Sequence, residues 1–490
     1  MRSWTLGNTT NFQPAPTDLF LVLGRGIEAS GSFAEESDDP FPAAIRESLA
    51  AQDKGEYKGG DWVLGGGKRA WVLPVAEKPG LDAAERLRCA VADGWKTLVA
   101  RRPSRVAILA SALDPADVAT LFEGWWLSTY RFDSFKSKPS PTPVPLHLLV
   151  ESAGEDEIRK ILEKKALELD ATDWARHQVN EPGSNLIPSE FATRIAKALS
   201  EVGVEWKSMT RPDLDREGYN GLVTVGKGSD HPPVLGVATW NPAGAKPDVH
   251  LVLVGKGVTF DTGGISLKPS DHMWEMKNDM AGAAAASGAI LAIARLGIPL
   301  RVSTVVCLAE NRPGNASVLP GDIFRAKNGK SVMVDNTDAE GRLILSDGLW
   351  EAGSLGATHV IDLATLTGAV VRALGGSIAG VLGNDAELSA AIQSVGAAQG
   401  EKFWPLPLEE EYRSKIDDAV ADMKNAGGPE AGAITAALFL KEFVPENTKW
   451  AHLDIAGTAF TTKSWKYFPE GATAFGLRTL VAFARRLATA

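Results

Sequence analysis

Four short runs, residues 249–254, 301–308, 359–363 and 451–455, are almost continuously apolar and rich in β-branched side chains. A strand with one wet face alternates polar and apolar residues, so an unbroken apolar run describes a strand covered on both faces. Between the runs lie stretches that predict helices, among them 282–296 and 435–443. Strand followed by helix, repeated, predicts an α/β domain with a mainly parallel sheet covered by helices on both faces. Ligands of such sheets bind beyond the carboxyl ends of the strands. The polar segments fall there: Gly255 to Gly264, Glu310-Asn311, Thr365 to Gly368 and Gly457-Thr458 each follow one of the runs.

At 490 residues the chain exceeds what one hydrophobic core usually supports, so at least two domains are expected. Residues 1–150 mix strand-like stretches (18–24, 61–74, 105–109) with helix-like ones (81–99, 114–127), the pattern of a small N-terminal α/β domain. Four prolines between Lys136 and Pro145 mark its edge. After a strand at 147–150, a helix over 155–178 carries apolar residues at Ile158, Ile161, Leu162, Ala166, Leu167 and Leu169 and stops at Asn180-Glu181-Pro182-Gly183. The expected division is 1–150, a connecting helix over 151–180, and a larger C-terminal catalytic domain over 181–490.

The 44% hydrophobic and 23% charged content is ordinary for a soluble globular protein, and no apolar run reaches the length of a membrane span. The N-terminus lacks the apolar core of a secretory signal, which makes the cytoplasm the expected location. Cys89 and Cys307 stand alone in apolar surroundings and read as buried thiols. A net charge of −10 argues against general nucleic-acid binding, and the first 150 residues, with 17 Lys and Arg against 18 Asp and Glu, are nearly neutral.

The chemistry-bearing residues concentrate in three places. Lys256, Asp261 and Lys268 lie in a glycine-rich segment, which sequence alone places in a loop at the sheet edge. Asp279 stands just before the small-residue helix that starts at Ala281. Asp338, Glu340 and Arg342 occupy alternate positions of Asp335 to Leu343, and on an extended backbone they would line one wall. Two close carboxylates repel unless a cation or a shared proton sits between them, so this segment is a candidate metal site with an anion-binding neighbour. Singly, each acid has a plainer reading: Asp279 as a helix cap, Asp261 as a turn residue, Asp338 and Glu340 as a solvated turn. No HExxH, CxxC or P-loop spacing is present, which argues against a nucleotide site. His359 and His452 sit on buried-strand patterns and read as hydrogen-bonded core residues. Trp125-Trp126 reads as core or subunit contact.

Five segments, Gly-Lys-Gly-Val-Thr-Phe-Asp-Thr-Gly-Gly, Met-Lys-Asn-Asp-Met-Ala-Gly-Ala-Ala, Asn-Thr-Asp-Ala-Glu-Gly-Arg-Leu, Leu-Ala-Thr-Leu-Thr-Gly-Ala and His-Leu-Asp-Ile-Ala-Gly-Thr-Ala, resemble in order and spacing the leucine (cytosol) aminopeptidase family of two-metal exopeptidases. The resemblance covers about residues 170 to 490 and leaves the first third without a motif. It implies a metal-dependent hydrolase that removes the N-terminal residue, leucine or another apolar one, from short peptides through a bridging water activated by two divalent ions, manganese or zinc. Lys256, Asp261, Asp279, Asp338 and Glu340 resemble the metal ligands, with Asp261 and Glu340 bridging both ions. Lys268 resembles the residue that polarises the scissile carbonyl. Arg342 resembles the one that holds a bicarbonate acting as general base.

The same resemblance assigns Met276, Asn336, Ala339, Thr365, Leu366, Gly368, Ala456 and Ala459 to substrate binding, and implies a homo-hexamer, a dimer of trimers. Asn278 and the segment Asn311 to Asn315 depart from common family spelling without touching the ligand set. Two other functions stay open. One is a nucleic-acid-binding regulator, since some bacterial relatives bind DNA through their N-terminal domains; the other is a catalytically silent assembly protein.

Overall fold

The computed structural model describes residues 3–8, 18–23, 60–63, 69–73, 79–100, 103, 105–110, 113–138, 140, 144–150 and 154–489, with backbone alone for 8, 18–23, 60–63, 69–73 and 109. The chain forms two compact units, Met1–Leu169 with Lys463–Pro469, and Asp170–Thr462 with Glu470–Ala490.

The first unit holds a six-stranded sheet of β1 (Trp4–Asn8), β2 (Asp18–Leu23), β3 (Gly60–Val63), β4 (Arg69–Leu73), β5 (Arg105–Leu109) and β6 (Leu146–Val150), in the order β1-β6-β5-β2-β4-β3. The stretch 61–74 that reads as one strand is two, paired antiparallel, while every other pair in this sheet is parallel. Helices α1 (Ala83–Val99) and α2 (Pro115–Ser128) start at Asp82 and Asp114, whose carboxylates accept the N–H groups of Glu85 and Asp117. Trp125 and Trp126 are buried in this unit's core, together with Tyr467 and Phe468. Tyr467 is held there by a bond from its hydroxyl to Glu85 Oε2 (3.2 Å). Helix α3 (Glu155–Asn180) is longer than its expected 155–178 by two residues, and the division between the units falls inside it.

The second unit is built on an eight-stranded sheet. Its strands are β7 (Glu205–Met209), β8 (Val234–Trp240), β9 (His250–Asp261), β10 (Arg301–Asn311), β13 (His359–Ala364), β14 (Ile378–Gly383), β15 (Lys402–Pro405) and β17 (Lys449–Asp454), in the order β15-β14-β17-β13-β9-β10-β8-β7. The four apolar runs are the four adjacent central strands β17, β13, β9 and β10, all mutually parallel. Antiparallel pairing is confined to β14 with β17 and to β8 with β10 and β7. Alternate residues of one strand enter different cores. Leu251 and Leu253 pack with helices α4 (Ala281–Arg295) and α7 (Leu477–Thr489); Val252 and Val254 pack with α5 (Gly341–Ser354) and α6 (Gly432–Lys441). That is the double covering the continuous runs require. A small sheet of β11 (Ile323–Arg325), β12 (Ser331–Met333) and β16 (Met423–Lys424) stands beside it.

One expectation is corrected. The glycine-rich segment from Gly255 is a loop only in its second half, because β9 continues through it to Asp261 and the loop that holds Lys268 starts at Thr262. Gly255 makes room for a helix instead of a ligand: a Cβ on it would lie 2.5 Å from Ala283 Cα, and on the helix side a Cβ on Gly282 would lie 2.1 Å from Leu363 O. Among the described residues no helix is long and apolar enough to cross a membrane.

Candidate metal centre

Lys256 and Asp261 are five residues apart on one strand, a separation that alternation would send to opposite faces. A register shift resolves this. Val258 pairs with Ala309 but Asp261 with Asn311, so β9 holds one residue more than β10 across the step. Such a bulge re-aims the side chains beyond it, and Asp261 ends on the side that Lys256 faces.

Lys256 is 3% exposed and points toward the start of α5, where Gly341 has no side chain; a Cβ there would meet Lys256 Cε at 2.7 Å. Its Nζ lies 2.8 Å from Asp279 Oδ1, 2.9 Å from Glu340 Oε1 and 2.7 Å from the Thr365 carbonyl. Lys268, in the loop after β9, pairs with Asp261 Oδ2 at 2.8 Å and with Asp338. Asp261, Asp338 and Glu340 each offer an oxygen within 4.8 Å of the others. Four carboxylates from three separate segments thus surround two lysines. Asp279 does not cap α4: Met280 takes the cap position, and Asp279 instead accepts a bond from Thr365 Oγ1 at 2.8 Å.

The segment 335–343 is not extended, so its three charged residues do not share a wall by alternation. Residues 335–340 form a loop, Glu340 has helical backbone angles (φ −74°, ψ −34°), and α5 starts at Gly341. Arg342 therefore sits in the first turn of a helix, where it donates from Nη1 to the Asn425 carbonyl at 2.7 Å.

Two lysines cannot neutralise four carboxylates, three of them buried and Asp338 half-buried, and the titration of the cluster reflects it. Burial raises the Asp261 carboxyl to about 6, with repulsion from Glu340 adding to it and Lys268 and Lys256 opposing. Burial also raises Asp279, well above the usual carboxylate range, and Asp338. For Glu340 burial is outweighed by Lys256 and Lys268, which hold its carboxyl low. Burial opposes the charge on both lysines, yet the surrounding carboxylates raise both above ordinary lysine. Asp279 Oδ2 and Glu340 Oε2 are buried and accept no hydrogen bond; Arg342 Nε is buried and donates none. Orphaned carboxylate oxygens and excess negative charge fit cations, and an orphaned guanidinium nitrogen beside them fits an anion.

Of the residues assigned to substrate binding, Thr365 joins the cluster directly, and Leu366 and Gly368 follow it beyond β13. Met276 lies in the short helix Met273–Asn278 that leads to Asp279. Asn336 accepts the Asp338 N–H at 2.8 Å, and Ala339 separates the two acids. Ala456 is partly exposed beyond β17, whereas Ala459, 1% exposed, packs into the core below.

Three residues given no site role from sequence shape the cluster: Asn311, which donates to Asp261; Asp454, which gathers the N–H groups of Leu366, Thr367 and Ala456; and Asn425. Asn311 and Asp454 carried a positional signal, since each stands at the carboxyl end of a central strand.

A cluster of carboxylates and lysines at the carboxyl ends of parallel strands, with buried oxygens left for cations, is the construction of a metal-dependent hydrolase. Comparison narrows the class. Residues 173–481 match the catalytic domain of the cytosol aminopeptidase family. A probable cytosol aminopeptidase of Geobacter sulfurreducens is 42% identical over 419 residues, 84% of each chain. One from Streptomyces avermitilis is 39% identical over 487 residues, covering 95% of this chain and 93% of its own. Among solved structures, the bottromycin maturation enzyme BotP in complex with Mn superposes with a TM-score of 0.82 at 31% identity, over 97% of this chain and 100% of that one. The chain belongs to the cytosol aminopeptidase family and is a hydrolase that acts as an aminopeptidase on peptides.

Proposed function

We propose that this aminopeptidase removes an apolar N-terminal residue, leucine foremost, from short peptides with a free α-amine. The observation that carries the reading is the cluster itself, three buried carboxylates and the half-buried Asp338 gathered about two lysines that cannot neutralise them. Lys256, Asp261, Asp279, Asp338 and Glu340 would hold two divalent ions, manganese or zinc, and Arg342 would hold a bicarbonate. When bound, the ions supply Lewis acidity toward water and the scissile carbonyl, and the bicarbonate supplies a proton acceptor.

The side chains then have distinct tasks. Lys256, paired here with Asp279 and Glu340, would hold a cation together with them as the neutral amine, its proton released to solvent on binding. Lys268 keeps its charge and is assigned to the carbonyl oxygen, where negative charge develops as the carbonyl carbon becomes tetrahedral. Arg342, in the first turn of α5, presents Nε to the anion while Nη1 stays bound to Asn425. The Leu366 N–H is committed to Asp454 at 3.2 Å, so its carbonyl is assigned to aligning the peptide, with the main chain of Gly368. Met276 and the small residues Ala339 and Ala456 give a pocket for a medium apolar side chain. Ala459 acts from beneath, as packing. A hexameric assembly and a cytoplasmic location complete the reading.

The test is hydrolysis of leucine p-nitroanilide after exhaustive chelation and again with Mn²⁺, Zn²⁺ or Co²⁺ restored, beside Lys268→Ala. Activity that returns with a metal and is lost in the variant supports the reading; comparable hydrolysis of an N-acetylated peptide overturns its requirement for a free amine. Light scattering decides the hexamer.

A further inference from the structure

We propose that Asn425 is the positioning residue that sets the metal-binding loop and Arg342 as one unit, an inference that rests on the functional reading above. Asn425 is fully buried one residue beyond β16. Its side-chain Oδ1 accepts the N–H groups of Asp335 (2.9 Å) and Asn336 (3.2 Å), and its Nδ2 donates to the carbonyls of Asn336 (2.7 Å) and Ala339 (3.2 Å). A side-chain amide has two N–H bonds and two acceptor lone pairs, so its capacity is filled, and filled by backbone groups of a single loop. The orientation is fixed by chemistry: a flipped amide would face N–H to N–H and oxygen to oxygen. The main chain of Asn425 is engaged as well, its N–H on the Met333 carbonyl (3.1 Å) and its carbonyl on Arg342 Nη1 (2.7 Å). Six hydrogen bonds from one residue all reach the stretch 333–342, which holds Asp338, Glu340 and Arg342.

This arrangement places the cation side and the anion side of the centre on one support. The loop 335–340 has no strand hydrogen bonds to fix where Asp338 projects, and its only tie to a helix is the Glu340 carbonyl, which accepts the N–H groups of Leu343 and Ile344 at the start of α5. Asn425 supplies that order at two points, and the same residue's carbonyl sets how far Arg342 stands from the acids. No other side chain of this size does both tasks. Aspartate has the shape but would turn a carboxylate oxygen toward the carbonyls of Asn336 and Ala339, and leucine would leave four buried backbone groups unpaired.

The experiment compares full-length wild type, Asn425→Asp and a control, Asp422→Ala. Asp422 ties β16 to Ser331 from outside and touches nothing at the centre. Mn²⁺ affinity is read by calorimetry on metal-stripped protein, and kcat and KM on leucine p-nitroanilide. In Asn425→Asp, Mn²⁺ affinity and kcat are each expected to fall at least ~10-fold while KM moves less than about threefold; Asp422→Ala is expected to lose thermal stability alone. Arg342→Ala is expected to cost less in the Asn425→Asp background than in wild type, because a side chain that no longer fits the loop carries the residue 425 carbonyl, and with it Arg342, out of place.

Unchanged Mn²⁺ affinity and kcat in a folded Asn425→Asp protein overturn the proposal, and additive Arg342 effects overturn its second half. A wild type that neither binds Mn²⁺ nor hydrolyses the substrate overturns the functional reading instead. Should Asn425→Asp not fold, Asn425→Ser, which cannot span the loop, carries the same measurements and the same expected losses.

Discussion

Asn311 Nδ2 lies 2.8 Å from Asp261 Oδ1 and 3.0 Å from the Thr337 carbonyl, so one neutral amide at the end of β10 ties the acid at the end of β9 to the loop that carries Asp338 and Glu340. A bond to one carboxylate oxygen leaves the other to turn toward a cation, and outer partners of this kind tune a metal site strongly. Asn311→Leu is expected to weaken Mn²⁺ binding roughly 10- to 100-fold, and to cost about 1–3 kcal/mol of stability through the unpaired Thr337 carbonyl. Calorimetric titration of the stripped protein checks it; wild-type affinity in the variant would reduce Asn311 to packing.

Gly255 is a test of how tightly the sheet and α4 are fitted. A methyl there would meet the Ala283 main chain at 2.5 Å, backbone against backbone, so neither side can yield by a rotamer change. Gly255→Ala is expected to cost about 1–3 kcal/mol of stability. It should also lower kcat, because a displaced β9 carries Lys256 and Asp261 with it. Thermal unfolding and steady-state kinetics measure the two effects; a variant with wild-type melting would show that the helix can slide away freely.

The same glycine shows where sequence reading succeeds and where it stops. Val252, Val254, Val305 and Ile361 announce buried parallel strands because no other environment accepts such runs, and those strands are the centre of the sheet. The lysine and glycines from Gly255 onward look like a loop, since strand signals are apolar and this part of β9 is built for close helix contact. Strands of two or three residues, such as β12 and β16, have no periodicity to read. Asn425 is silent for a related reason: its partners lie 83 to 92 positions away, and nothing in Lys424-Asn425-Ala426 says so. Tyr467 and Phe468 likewise join the core of the first unit across a separation of hundreds of residues. Asp261, Asp279, Asp338 and Glu340 were legible as a set because motif spacing records a shared site, but the bulge that turns Asp261 and the helix that carries Arg342 were not.

Asp347 gives a pH dependence unconnected with the metal centre. It is fully buried on α5, accepts the Leu222 N–H at 2.8 Å, and burial pushes its carboxyl up to about 8, only partly offset by the N–H groups of Leu222 and Gly221. The unfolded chain titrates near 3.8, so between these values the folded protein holds a proton that the unfolded chain lacks. This contribution to stability therefore falls as pH rises through that window. Asp347→Asn keeps the shape without the titration. Its melting temperature is expected to decline less than that of wild type between about pH 5 and pH 8; parallel profiles would mean that Asp347 titrates normally.

Asp454 organises the other wall of the site. Fully buried at the end of β17, it accepts from the N–H groups of Leu366 (3.2 Å), Thr367 (3.4 Å) and Ala456 (3.3 Å), and from Thr367 Oγ1 (2.6 Å). Thr367 in turn caps the helix Gly368–Leu374 through the Val370 N–H. The strand end assigned to peptide alignment thus takes its shape from one carboxylate. Asp454→Ala releases four donors at once and is expected to raise KM for leucyl substrates at least ~10-fold with kcat changed less than about threefold, whereas Asp454→Asn, which can still accept the three N–H bonds, should fall between it and wild type. The alternative outcome is equally readable. Thr365 touches both Lys256 and Asp279, so a disturbance passed along the strand would appear as lost Mn²⁺ affinity and lower kcat at constant KM. That result would place Asp454 among the supports of the metal centre and remove it from substrate alignment.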